Sequence, residues 1–181
     1  MTPSADTRNR ARRLKLMAFD VDGVLSEGSL LYTDEGVEMK AFNSLDGLGM
    51  HMLQRAGIIV AVITGRKAKC VEHRMKNLGI DILYQGIGDK VEALNDLLAK
   101  QGVSAEDAGY MGDDIVDLKI MDACGFSAAP ADCHEMVKTY ARLVSSKIGG
   151  RGAVREVCEF ILDAQGKLDA ALAPYLPARA K

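Results

Sequence analysis

Two carboxylates stand two residues apart in Phe19-Asp20-Val21-Asp22-Gly23-Val24, directly after an apolar run that begins at Leu14. Acids held this close repel one another, and a divalent cation relieves the repulsion. Hard carboxylate oxygens suit magnesium, which also binds substrate phosphate. The pattern points to phosphoryl transfer, with an ionised Asp20 attacking phosphorus to form a mixed anhydride. Asp22 would protonate the departing alkoxide and then take a proton from the water that attacks the phosphoryl-aspartate. On these six residues alone, a pair of acids that merely cap a turn remains the competing reading.

The rest of the chain adds to the motif. Thr64-Gly65-Arg66 follows a second apolar run and offers a hydroxyl, open backbone amides and a guanidinium suited to phosphoryl oxygens. Lys90, after Gly88-Asp89 at an expected helix start, could balance metaphosphate-like charge. Gly112-Asp113-Asp114 again ends a short apolar run in acids, and Asp113 is the expected metal ligand beside Asp20 and Asp22. Asp114 and Asp117 either support the metal or cap the following helix, where acids favour the dipole. His73 and His134 have no ligand-like partners at useful spacing and read as ordinary surface or turn residues.

These residues need a scaffold that brings strand ends together. Leu14 to Phe19, Ile58 to Ile63, Ile80 to Tyr84, Ala108 to Met111 and Phe126 to Ala128 read as buried strands. Helical spacing runs over Leu45 to Ala56, Lys67 to Leu78, Lys90 to Gln101, Ile115 to Ala123 and Ala153 to Ala164. Alternation of this kind predicts an α/β fold: a Rossmann-like open parallel sheet with helices on both faces and ligands beyond the strand carboxyl ends. The stretch around Asp34-Glu35-Gly36 breaks the rhythm and predicts a projecting β-hairpin over about residues 28–42. Residues 1–13 are expected to be a loose basic tail, residues 14–169 one domain and residues 170–181 a mobile end. Gly149-Gly150-Arg151-Gly152 is expected to be a flexible joint.

Bulk properties bound the alternatives. The 181 residues are 48% apolar and 27% charged, and 23 basic against 25 acidic side chains leave a net charge of −2. That composition fits one globular domain and excludes a general binder of nucleic acid or acidic membrane. No apolar run reaches the ~20 residues a membrane span needs. Four scattered cysteines, Cys70, Cys124, Cys133 and Cys158, lack zinc or redox spacing and read as reduced thiols of a cytoplasmic protein.

In order and type, Asp20/Asp22, Thr64, Lys90 and Asp113/Asp114 resemble the four motifs of the haloacid dehalogenase superfamily. More narrowly, Leu83-Tyr84-Gln85-Gly86 and the segment from Gly149 to Glu156 resemble bacterial 3-deoxy-D-manno-octulosonate 8-phosphate phosphatases. The resemblance implies magnesium-dependent hydrolysis of that sugar-acid phosphate to the free sugar acid, in cytoplasmic synthesis of the lipopolysaccharide inner core. It also implies a capless homotetramer in which hairpins and tails of neighbouring subunits close the active sites, with Arg151 one residue that could reach across.

By the same resemblance, substrate contacts fall on Asp22, Asn43, Ser44, Leu45, Asp46, Gly47, His51, Gly65, Arg66, Arg74 and Lys90. Leu45 and His51 stand where relatives often carry arginine or lysine. Arg66 and Arg74 lie eight positions apart, near two helical turns, and so could present one cationic face to a sugar carboxylate. Two other functions compete: a phosphatase for a nine-carbon sialic-acid-type phosphate, and a non-catalytic module of the same fold.

Overall fold

A computed structural model describes residues 3–177. Its helices are α1 (Ala5–Arg13), α2 (Ser44–Arg55), α3 (Lys69–Asn77), α4 (Lys90–Gln101), α5 (Leu118–Ala123), α6 (Glu135–Tyr140), α7 (Ala153–Ala164) and α8 (Leu168–Leu172). Its strands are β1 (Leu16–Phe19), β2 (Leu31–Tyr32), β3 (Glu38–Met39), β4 (Ile59–Ile63), β5 (Ile82–Tyr84), β6 (Ala108–Met111), β7 (Phe126–Ala129) and β8 (Leu143–Val144). Six strands form one parallel sheet in the order β5-β4-β1-β6-β7-β8. The expected α/β architecture is therefore present.

β1 sits in the middle because it can be buried on both faces. Met17 and Phe19 join the core formed with α2, α3 and α7, while Leu16 and Ala18 join the core formed with α4, α5 and α6. Alternating side chains of one strand thus feed two hydrophobic layers. Met17 pairs with Val60 on one side and Gly109 on the other, in a register that lines up the ends of β1, β4 and β6. The central strand is the one that delivers Asp20.

The antiparallel pair β2 and β3 forms the expected hairpin, separate from the main sheet. Its strands are only two residues long, and Leu31, Tyr32, Val37 and Met39 are exposed.

Three expectations about the chain's organisation need correction. The basic stretch expected to be a loose tail is helical from Ala5: Ser4 Oγ accepts from Thr7 N, Ala11 is buried in the core, and Arg12 Nε donates to the Ala164 carbonyl. A helix with so few buried residues carries almost no apolar periodicity, and its anchors are long-range contacts. The expected mobile end continues as α8 and a 3₁₀ turn at Ala173–Tyr175, while residues 1–2 and 178–181 lie outside the described residues.

The glycine-rich joint before α7 is packed rather than loose. A Cβ at Gly149 would lie 1.8 Å from the Gly23 carbonyl oxygen, and one at Gly150 2.6 Å from Glu27 N. Gly150 N also donates to the Val24 carbonyl at 2.9 Å. These glycines permit close backbone approach to the loop that follows β1.

Candidate active site

A cleft of about 650 Å³ opens beyond the carboxyl ends of β1, β4 and β6. Asp20, Asp22, Thr64, Gly65, Arg66, Lys90, Asp113 and Asp114 all line it. Each acid or base arrives where an apolar strand or a helix start must end. Lys90 opens α4 because Asp89 caps that helix, accepting from Val91 N at 2.9 Å and Glu92 N at 3.2 Å.

The centre is a buried ion cluster. Lys90 Nζ donates to Asp20 Oδ2 and to Asp117 Oδ1, each at 2.6 Å, and to the Tyr110 hydroxyl oxygen at 3.1 Å. Asp20 Oδ1 accepts from Val21 N at 2.7 Å. One oxygen from each of Asp20, Asp113 and Asp117 falls within 4.8 Å of the others. Burial, then repulsion from Asp117, pushes the Asp20 carboxyl up to about 6 despite the nearby ammonium. Burial and the charges of Asp117, Asp20 and Asp114 push Asp113 up to about 8. Burial acts to lower Lys90, but Asp20 and Asp117 outweigh it and hold its pKa above the ordinary lysine value.

This donor set fits a hard divalent cation. Partly buried carboxylates that raise one another's pKa are relieved by a cation placed among them. Asp20 and Asp113 are the pair that could hold it, since each oxygen of Asp117 already has two polar partners, whereas each oxygen of Asp20 has one. Asp117 Oδ1 takes Lys90 and lies 3.1 Å from the Tyr110 hydroxyl, and Oδ2 accepts from Asp113 N at 3.0 Å and Asp114 N at 3.3 Å. Asp113 in turn needs Gly23, because a Cβ there would sit 1.9 Å from Asp113 Oδ2.

Asp22, expected as a further ligand, does not bring its carboxylate to this cluster. That side chain turns to Lys40 of the hairpin, whose ammonium contacts Asp22 Oδ1.

The expected substrate segment lies largely elsewhere. Asn43 Oδ1 caps α2 through Leu45 N at 2.8 Å. Asp46 is buried and accepts from Gly152 N at 3.1 Å and Arg155 N at 2.9 Å, so it anchors the start of α7. Gly47 leaves room for Arg74, which donates to the Asn43 carbonyl at 3.1 Å and stacks over Phe42. None of Asn43, Ser44, Leu45, Asp46, Gly47, His51 and Arg74 lines the cleft. Arg66 does, but α3 starts only at Lys69, so Arg66 precedes the helix and shares no face with Arg74.

Sequence reasoning missed Tyr110, Lys40 and Glu38, and left Asp117 undecided. The Gly-Asp-Asp-x-x-Asp spacing was a signal for Asp117. Tyr110 carries none, since a tyrosine inside an apolar run reads as core. His134 does act as a turn residue, with Nδ1 accepting from Met136 N.

A parallel sheet with acids at two strand ends, a threonine at a third and a lysine between them is the arrangement of a haloacid dehalogenase-like hydrolase, and the family model of that description matches residues 80–156. The 3-deoxy-D-manno-octulosonate 8-phosphate phosphatase of Escherichia coli K12 is 48% identical over 168 residues, 93% of this chain and 89% of the relative. The crystal structure of the Yersinia pestis phosphatase of that name superposes with a TM-score of 0.89 at 46% identity, covering 91% of this chain and 89% of that one. A Moraxella catarrhalis phosphatase, in complex with magnesium, phosphate and the sugar acid, gives 0.92 at 43% identity, covering 94% and 98%. The chain belongs to the 3-deoxy-D-manno-octulosonate 8-phosphate phosphatase family.

Proposed function

We propose that this chain hydrolyses 3-deoxy-D-manno-octulosonate 8-phosphate to the free sugar acid and inorganic phosphate, a step toward the lipopolysaccharide inner core. The observation that carries the reading is the buried Lys90 ammonium bridging Asp20 and Asp117 beside Asp113, with Asp20, Lys90 and Asp113 lining a cleft that also holds Thr64 and Arg66. A scaffold gains nothing from such a cluster, whose acids raise one another's pKa.

Asp20 is the nucleophile. One of its oxygens forms the new bond to phosphorus as the ester oxygen leaves, and Asp22 gives that oxygen a proton. Water then attacks the phosphoryl-aspartate, gives a proton to Asp22, and phosphate leaves Asp20. Thr64 and the Gly65 amide bind phosphoryl oxygens, and Lys90 stabilises the charge that spreads over them. Magnesium, held by Asp20 and Asp113, would neutralise the acids and the phosphate and let the anionic reactants approach.

The exposed apolar hairpin suits burial against other copies, and we assign the chain to a homotetramer working in the cytoplasm. No helix among the described residues is long and apolar enough to cross a membrane. Phosphate release from the eight-carbon and nine-carbon sugar-acid phosphates, with and without magnesium, tests the reading. A clear preference for the nine-carbon ester would replace the substrate, and no magnesium-dependent release from any ester would overturn the activity.

A further inference from the structure

Lys40 follows β3 in the hairpin, and its side chain is 1% exposed. An ammonium so enclosed must be paired. It contacts Asp22 Oδ1 and lies 2.7 Å from Glu38 Oε1. Burial works against its charge, and the bonds to Asp22 and Glu38 more than compensate. Glu38 Oε2 accepts from Arg66 at 3.1 Å, and the same guanidinium nitrogen donates to the Tyr32 hydroxyl. The hairpin is therefore tied to the cleft by a chain of charges that begins at Asp22.

The two oxygens of Asp22 are not equivalent. Oδ1 is clamped by Lys40, whereas Oδ2 is buried and has no hydrogen-bond partner; Arg66 Nε stands 3.7 Å away. An orphaned buried oxygen in a residue that lines the cleft calls for an occupant. A proton shared with the leaving oxygen of a bound ester supplies one.

We propose that Lys40 is a positioning residue that fixes Asp22 through Oδ1, so that Oδ2 is the oxygen that hands the proton to the leaving group. The inference rests on the phosphatase reading above. In the step concerned, the phosphorus–oxygen bond to the sugar breaks as the Asp20–phosphorus bond forms. The electron pair goes to the sugar oxygen, that oxygen takes the proton from Asp22 Oδ2, and Asp22 is left as a carboxylate. Lys40 stabilises the negative charge that appears on Asp22 at that moment. In the second step water returns a proton to Oδ2 as its oxygen bonds to phosphorus.

In the first step, a leaving group that departs without a proton has no need of this arrangement. The test compares the sugar-acid phosphate, a primary alkyl ester, with p-nitrophenyl phosphate in wild type, Lys40→Met, Lys40→Gln and Lys40→Arg. General acid catalysis contributes about 10²–10⁴-fold. Lys40→Met and Lys40→Gln should therefore lose about 10²-fold in the single-turnover rate of alcohol release from the alkyl ester and less than about threefold in that of nitrophenolate release from the aryl ester, rates that exclude the second step common to both. Lys40→Arg should recover most of the alkyl-ester loss.

Equal losses on both esters in the folded variants would reduce Lys40 to a structural tether and overturn the proposal. So would an unchanged alkyl-ester rate. If neither neutral variant folds, Lys40→Arg decides: a residual loss of a few fold confined to the alkyl ester supports the inference, and an equal loss on both esters, or none on either, overturns it. Wild type failing to release phosphate from either ester would instead refute the phosphatase reading itself.

Discussion

Replacing Asp117 by asparagine keeps the side chain's shape and removes one charge, yet the surroundings of Asp117 are built for a carboxylate. The residue is fully buried. Lys90 meets one oxygen at 2.6 Å, and the amides of Asp113 and Asp114 meet the other at 3.0 and 3.3 Å. An asparagine offers one acceptor and one NH₂ group. Whichever way it turns, the NH₂ faces either an ammonium or two backbone N–H donors.

An unsatisfied buried donor costs about 1–3 kcal/mol, and breaking a buried ion pair about 3–5 kcal/mol. Lys90 keeps Asp20, and the loss of Asp117 relieves the repulsion that raises Asp20 and Asp113, so the lower part of that range applies. We expect Asp117→Asn to lose about 3 kcal/mol, which for a domain of this size corresponds to about 6–12 °C in melting temperature. Differential scanning calorimetry in chelator measures it. Asp114→Asn, which alters an exposed side chain that caps the turn through Ile115 N and the Asp117 backbone N–H and keeps a capping acceptor there, should lose less than about 0.5 kcal/mol in parallel. If Asp117→Asn melts within about 2 °C of wild type, the carboxylate is not the keystone its contacts imply.

Asp20→Asn should abolish turnover, and Asp22→Asn should slow both chemical steps so that phosphoryl-enzyme accumulates on the better leaving groups; mass spectrometry of acid-quenched protein reads the adduct. Gly23→Ala should push Asp113 aside and, at φ +81°, strain the turn, so a magnesium titration of activity should shift to higher concentration by at least about tenfold, equivalent to about 1.4 kcal/mol. Asp46→Ala should cost about 1–2 kcal/mol by uncapping α7, while kcat per folded molecule stays near wild type within the assembled protein. In chelator, Asp20 and Asp113 have folded pKa values near 6 and 8 against 3.8 unfolded. The native state then binds more protons than the unfolded state across that window. Stability of the metal-free chain should accordingly fall as pH rises from about 4 toward 8, and magnesium should restore it at the upper end while releasing protons. A melting series from pH 5 to 8 with and without magnesium checks the sign.

The strands were legible because a parallel strand buried on both faces shows itself as a short apolar run, and the acids were legible because those runs stop at them. Leu16–Phe19 followed by Asp20 and Ala108–Met111 followed by Gly112-Asp113 need no long-range information. Helix α1 and the glycine segment before α7 were misread for the opposite reason. Arg12 reaches Ala164 and Gly150 reaches Val24, contacts between segments far apart in sequence whose cost and benefit leave no local periodicity. Short β8 and six-residue α6 fall below the length at which a period can be counted.

Charged residues were the hardest to assign, because a carboxylate on a helix looks alike in sequence whether it caps, pairs or binds. Asp46 and Asp117 are both buried acids near helix starts, and only their partners separate them: two backbone amides of α7 for the first, a lysine and two loop amides for the second. Counting those partners also fixes which acids remain for a cation. Asp117 has two partners on each oxygen and Asp22 is held by the hairpin, which leaves Asp113 and Asp20, the latter with one partner on each oxygen. Three carboxylates against the single ammonium of Lys90 make a cluster charge of −2 when all are ionised. A divalent cation balances that charge, whereas a monovalent one leaves a net repulsion toward an incoming phosphate. The same count explains why removing Lys90 and removing magnesium should not be equivalent. The lysine neutralises Asp117 and one oxygen of Asp20 from within the protein, and the cation is needed on the side that faces the substrate.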